Sequence, residues 1–304
     1  MSGQVTRFAC TGCGKCCNRS PELELTEAAP LADAFVFRLM FRLYWLPDQL
    51  KDFVARGGGG PNTAATYYER KRLLSAFAAR TWPVKAQRDG RQVRFTKYLT
   101  ISALALDPGL GACSALKGAQ CGIYERRPLS CRSVPLHYSR PQATAAADLE
   151  AFVATPGYEC DTSEDADIVI SDGRIVASEM NSARIAALAV AKTGRPWAEA
   201  IARRLAARAR SHPGLPTLQD IEANARFAAT TISMRVAWQV ATDAGFIGRD
   251  ECDRLVELQL NTINHMLKVG ACAPDAGETL MEMQAEYAHH VRSVSSENHE
   301  PFGS

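Results

Sequence analysis

Cys10-x-x-Cys13-x-x-Cys16-Cys17 packs four of this chain's ten cysteines into eight residues near the N-terminus, and no other feature restricts its folding so tightly. Thiols this dense either share a soft or borderline metal or form strained disulfides. A disulfide between the adjacent Cys16 and Cys17 needs unfavourable geometry. A Cys-x-x-Cys redox pair normally precedes a helix in a βαβ setting, but here two more cysteines follow at once and that pattern is missing. Metal binding is the better reading of the cluster.

Cys113, Cys121, Cys131 and Cys160 form a second constellation and bring the candidate ligands to eight. Eight thiols suffice for two tetrahedral sites, or for one cluster with thiols to spare. Gly12 and Gly14 allow a tight loop in which sulfurs two residues apart converge. The adjacent Cys16 and Cys17 project differently, which disfavours one mononuclear zinc held by both. The spacing of Cys10, Cys13 and Cys16 matches three ligands of a [4Fe–4S] cluster. Zinc uses the same Cys-x-x-Cys hook. The spacing and the adjacent pair favour an iron–sulfur cluster over Zn2+. Arg126, Arg127 and Arg132 flank Cys131, and guanidiniums there would offset the negative charge of a thiolate-bound cluster, with Arg127 and Arg132 the candidate cofactor-contacting residues; equally, Arg127 and Pro128 shape the turn that presents Cys131, with Tyr124 as a core anchor.

Other classes fall away on composition. A net charge of +2 gives no mandate for nucleic acid or an acidic membrane. The N-terminal residues have no apolar core like that of an export signal. The most apolar stretch, Leu31 to Leu46, carries Asp33, Arg38 and Arg42 and is too short to span a bilayer. A cytoplasmic, reducing location is expected, where many thiols point to metal or redox chemistry.

The motif C-x-x-C-x-x-C-C, followed by C-x-I-Y-x-x-R-P-x-x-C-R, resembles the YkgJ-type cysteine-cluster family. The matching residues are Phe8, Cys10, Cys13, Cys16, Cys17, Cys121, Ile123, Tyr124, Arg127, Pro128, Cys131 and Arg132, with Pro135 just beyond. Val134 stands where that family usually has an aromatic, Ser114-Ala115-Leu116 departs from its more apolar triplet, and Cys160 lacks the glycines that usually follow. The likeness covers about residues 5 to 175. It implies a domain that chelates zinc or iron, and flagellin lysine N-methylase is a relative of that family.

The pattern along the chain predicts an α-rich α+β protein. A small metal-stapled cysteine-cluster domain spans 1–178, and a helical C-terminal region spans 179–304. The expected elements are a helix from Thr26 to about Trp45, a helix over Ala64–Ala79, a strand over Gln92–Ile101 and a hairpin across Asp172-Gly173. Helices are expected at Asn181–Lys192, Pro196–Arg210, Leu218–Asp243, Asp250–Val269 and Gly277–Ser293, with a frayed tail after about Ser295. Three functions stay open: a redox, sensing or structural metal protein; a protein-lysine methylase-like enzyme; or a metal-stapled module whose C-terminal helices hold an unknown protein partner. No independent sign of catalysis appears. Gly109-Leu110-Gly111 reads as a turn and the Gly57–Gly60 run as a flexible loop. Cys252 and Cys272 read as packing residues, and His137 as a packing or hydrogen-bonding residue rather than a ligand. His289 and His290, together with the basic run Arg203, Arg204, Arg208 and Arg210, read as solvated.

Overall fold

The computed structural model describes residues 5–17, 20–58, 63–206, 214–224 and 229–297. Gly59, Gly60 and Pro61 of the glycine run, Arg208 and Arg210 of the basic run, residues 225–228 of the expected Leu218–Asp243 helix and the tail beyond Glu297 lie outside them. The strands in chain order are β1 (Val5–Arg7), β2 (Glu22–Leu23), β3 (Phe37–Pro47), β4 (Ala78–Arg88), β5 (Arg91–Ala105), β6 (Leu116–Lys117), β7 (Gln120–Cys121), β8 (Ile168–Ser171), β9 (Arg174–Ile175) and β10 (Thr230–Ser233). The helices are α1 (Leu50–Phe53), α2 (Thr63–Phe77), α3 (Leu129–Arg132), α4 (Ala145–Val153), α5 (Ser178–Ala206), α6 (Leu218–Asn224), α7 (Met234–Asp243), α8 (Arg249–Val269) and α9 (Pro274–Glu297).

An antiparallel sheet in the order β10-β3-β5-β2, with β4 also paired to β5, organises the chain. This overturns the expected division into a small cysteine domain and a helical tail. The sheet draws β10 from the C-terminal region, and one core runs from Leu23 through Phe41 and Leu99 to Trp238, Val256 and Tyr287. Strand β3 replaces the helix expected from Thr26. Only the 3-10 turns Leu25–Glu27 and Ala29–Leu31 form there. The reason lies in the run Phe-Arg-Leu-Met-Phe-Arg-Leu-Tyr-Trp-Leu. One face is buried in the core, and on the other Met40 and Leu46 are buried among the half-buried Arg38, Arg42 and Tyr44, so a simple alternation of apolar and polar residues is lost. Arg38 and Arg42, four apart, fit a helical turn and a strand face equally well.

The pairing sorts side chains onto two faces. Leu39, Phe41 and Leu43 oppose Ala103, Ile101 and Leu99 and pack toward the C-terminal helices. Arg42 and Tyr44 oppose Thr100 and Tyr98 on the other face, where Ser102 and Glu22 also stand. The Asp89-Gly90 and Asp172-Gly173 turns form as the sequence indicates, with both residues of each at positive φ. The helices expected at Asn181–Lys192 and Pro196–Arg210 are one continuous helix, α5, as far as Ala206, with Pro196 inside it. The expected Leu218–Asp243 helix gives way to α6, β10 and α7. Among the described residues no helix is long and apolar enough to cross a membrane.

A second, smaller core sets the position of the first cysteine loop. Phe8 follows β1 and is 6% exposed among Leu136, Leu149, Val169 and Ile170, with its ring edge-on to Phe152 at 6.1 Å. Phe8→Ala is expected to cost about 3–5 kcal/mol of stability, the usual cost of truncating a buried phenylalanine. Urea unfolding measures it, and a loss below about 1 kcal/mol would show that this core does not anchor the loop.

Candidate functional site

The cysteine loop begins at a bridge between distant segments. Ala9 N–H donates to Asp161 O at 2.8 Å and Asp161 N–H returns to Ala9 O at 3.1 Å, so the next residue, Cys10, and the preceding one, Cys160, flank one antiparallel contact. The Thr11 hydroxyl donates to Glu159 O at 2.6 Å beside it. The loop's other end is tied elsewhere: Cys113 N–H donates to Cys17 O at 2.7 Å. Cys121 lies in the β6–β7 hairpin, opposite Leu116, and Cys131 lies in the single turn of α3. Gly14 has φ +71°, and a Cβ there would lie 2.8 Å from Ala119 O, so only glycine lets the loop pass the hairpin.

These ties, with the charges the thiols feel, suggest two groupings of the eight. Cys16 feels the charges of Cys17, Cys10 and Cys160, and Cys160 feels those of Cys13 and Cys10. Cys113 feels Cys17 and Cys121, while Cys131 feels Cys113, Cys17 and Cys121. The first quartet is therefore Cys10, Cys13, Cys16 and Cys160; the second is Cys17, Cys113, Cys121 and Cys131. They meet where the Cys16 thiol donates a hydrogen bond to Cys17. That bond raises the pKa of Cys16 and, outweighing burial and aided by the charge of Arg127, brings Cys17 down to about 6. Burial, then its three sulfur neighbours, pushes Cys131 up to about 12. All ten cysteines are free thiols. Among the described residues no three His, Cys, Asp or Glu side chains converge closely enough, as they stand, to hold one ion.

Of the two arginines singled out by sequence, Arg127 lies at the second quartet. Its guanidinium covers the Tyr124 ring at 3.8 Å and binds Glu179 at 2.8 Å. Arg132 faces the same Glu179 at 3.9 Å and also acts on Glu27. Arg126 instead pairs with Asp33 at 3.0 Å. Cys252 is buried in the helical core, Cys272 packs beside it, His289 is exposed, and His290 pairs with Asp253 at 3.2 Å.

Both quartets line a cleft of about 1930 Å³ whose opposite wall is the polar face of the sheet together with α2 and the loop from Pro135 to Pro141. Glu24 stands deep in this wall yet remains reachable by water from the cleft. Burial, then the neighbouring carboxylates Glu27 and Glu22, pushes its pKa up to about 8, against a 3.3 Å hydrogen bond from the Tyr138 hydroxyl. Glu22 is satisfied by Arg42 at 2.7 Å and the Ser102 hydroxyl at 2.9 Å. Sequence reasoning missed Glu24, Tyr138 and Arg42, because no spacing marks them. They meet only when β2, β3 and the 135–141 loop assemble.

In the unfolded chain Glu24 ionises near 4.5, and in the folded chain near 8. Between these values folding takes up a proton, so stability is highest at the acid end of this window and falls as pH rises through it. Glu24→Gln is expected to flatten that fall and to stabilise the protein at pH 8, measured as unfolding free energy across the window. An unchanged slope would remove Glu24 as its source.

No protein-family model, no curated protein and no solved structure matches this chain.

Proposed function

We propose that this chain is a metal-binding protein with two thiolate centres, one on Cys10, Cys13, Cys16 and Cys160 and the other on Cys17, Cys113, Cys121 and Cys131. The division of eight sulfurs into four and four carries the reading. Four thiolates complete a closed tetrahedral zinc site or the ligand set of an iron–sulfur cluster. The division also gives the adjacent Cys16 and Cys17 separate tasks. The motif likeness to the YkgJ-type cysteine-cluster family supports the same reading.

Among the described residues the thiols are not drawn tight enough to hold an ion as they stand, so binding would require the loop cysteines to move. Such sites take shape as the thiols lose their protons to the metal, so binding and local folding are coupled. The donor chemistry fits: thiolates suit zinc and iron–sulfur clusters rather than hard cations. Zinc would supply cross-links alone, whereas a cluster would add one-electron chemistry. In either case the ligands staple the loop of residues 9–17 to segments about one hundred and one hundred and fifty residues away, and so fix one wall of the cleft. Beside Cys131, the Ser130 hydroxyl is buried with no hydrogen-bond partner among the described residues.

Anaerobic purification followed by an absorption spectrum and iron, sulfide and zinc analysis on one sample tests the proposal. Two zinc ions per chain, or broad visible absorption with iron and acid-labile sulfide, supports it. A colourless, metal-free protein with all its thiols reactive would sink it.

A further inference from the structure

The inner end of the cleft, away from the thiols, has its own chemistry. Phe77 and Tyr138 meet with ring centroids 5.5 Å apart, and Leu73, Leu74 and Tyr44 extend this apolar surface. His137 stacks on Tyr138 at 4.3 Å, and its Nδ1 is engaged by the Ser139 hydroxyl at 2.8 Å. Its Nε2 has no protein partner among the described residues, and the ring lines the cleft.

Positive charge surrounds that imidazole. Burial, then Arg140, Arg42 and Arg184, holds His137 down to about 4, so it is neutral at pH 7. Arg42 is matched by Glu22 at 2.7 Å, and Arg184 faces Glu69 at 3.9 Å. Arg140 and Arg70 also line the cleft, and neither has a carboxylate partner among the described residues. Of the other carboxylates in this wall, Asp148 accepts from the Thr144 hydroxyl at 2.8 Å, and Glu24, pushed up to about 8, accepts from the Tyr138 hydroxyl at 3.3 Å. Unmatched guanidiniums beside a ring-walled cavity select a negative group attached to an apolar body.

We propose that the inner cleft binds a small organic anion, its carboxylate or phosphate held by Arg140 beside His137 and its apolar or ring portion lying on Tyr44, Phe77 and Tyr138. Arg70 adds attraction at the rim. The site stands apart from the eight cysteines and does not rest on the metal reading.

The test uses the full chain as purified, labelled with 15N in its histidines, at pH 7. Benzoate and inorganic phosphate are titrated separately while the His137 ring signals, assigned by their loss in His137→Gln, are followed. Benzoate should shift them saturably and more tightly than phosphate. Arg140→Gln should weaken benzoate about tenfold with metal content unchanged, and Arg203→Gln, about five turns along α5 from Arg184, should leave it alone. No saturable shift with benzoate, equal binding by Arg140→Gln, or phosphate binding as tightly as benzoate would each overturn the proposal. Metal analysis of the same sample keeps the two readings separate, because a metal-free protein that still binds benzoate refutes the thiolate centres and upholds this site.

Discussion

Replacing Cys131 by Ser is expected to empty one metal centre and leave the other, halving the metal content of the purified protein. Cys160→Ser should do the same to the opposite centre, and the double variant should hold no metal. The sharper comparison is between neighbours. Cys16→Ser should behave like Cys160→Ser, while Cys17→Ser should behave like Cys131→Ser, although the two residues share a peptide bond. Cobalt substitution or the cluster spectrum identifies which centre survives. A structural four-thiolate zinc site contributes about 10–16 kcal/mol to folding in small domains. Even a fraction of that is several kcal/mol, and in a chain of this size it lowers the thermal midpoint by about 10 °C or more. If Cys16→Ser and Cys17→Ser empty the same centre, or if one substitution strips both, the division of the thiols is wrong.

That division could not be read from spacing. The eight cysteines are visible in sequence, and so is the need for Gly14 in the loop. How the thiols group depends on the Ala9–Asp161 bridge and on the Cys113 N–H to Cys17 O hydrogen bond, contacts across about one hundred and one hundred and fifty residues. Only the fold creates them. The spacing groups Cys10, Cys13 and Cys16, but the late Cys160, which has no local motif of its own, comes beside that loop only through the Ala9–Asp161 bridge.

The same contrast runs through the fold. Asp89-Gly90 and Asp172-Gly173 specify hairpins because positive φ at two successive positions suits few residue pairs. The centre of the sheet was illegible for the opposite reason. Phe37–Pro47 lies between β10 and β5; Met40 and Leu46 are buried even on its polar face, so the two-residue period is broken, and its two arginines are spaced as a helix would space them. Strand β10 is four half-buried residues whose partner is nearly two hundred residues upstream. The cleft inherits this problem: Glu22, Arg42, Ser102 and Tyr138 become a polar wall only after those strands pair.

Gln259→Ala tests how far this sheet unites the chain. Gln259 lies on α8 and is fully buried. Its Oε1 accepts from Phe37 N–H at 2.7 Å, and its Nε2 donates to Ala32 O at 2.8 Å and Phe35 O at 2.7 Å. One side chain of the C-terminal helices therefore satisfies the irregular backbone that leads into β3. Ala32 O keeps a second donor, the Thr262 hydroxyl at 2.9 Å. Truncation leaves Phe37 N–H and Phe35 C=O buried and unpaired, at about 1–3 kcal/mol each, and opens a cavity. A total loss of about 4 kcal/mol or more is expected. Gln284→Ala removes an exposed hydrogen bond to Asn264 and should cost under about 0.5 kcal/mol. Because Leu23, Phe41, Trp238 and Tyr287 share one core, Gln259→Ala should lose its helical signal and its thiol protection in a single transition at lower urea. Two separated transitions, with the thiols still protected after the helices melt, would mean that the cysteine-bearing half folds by itself and that β10 and Gln259 merely dock onto it.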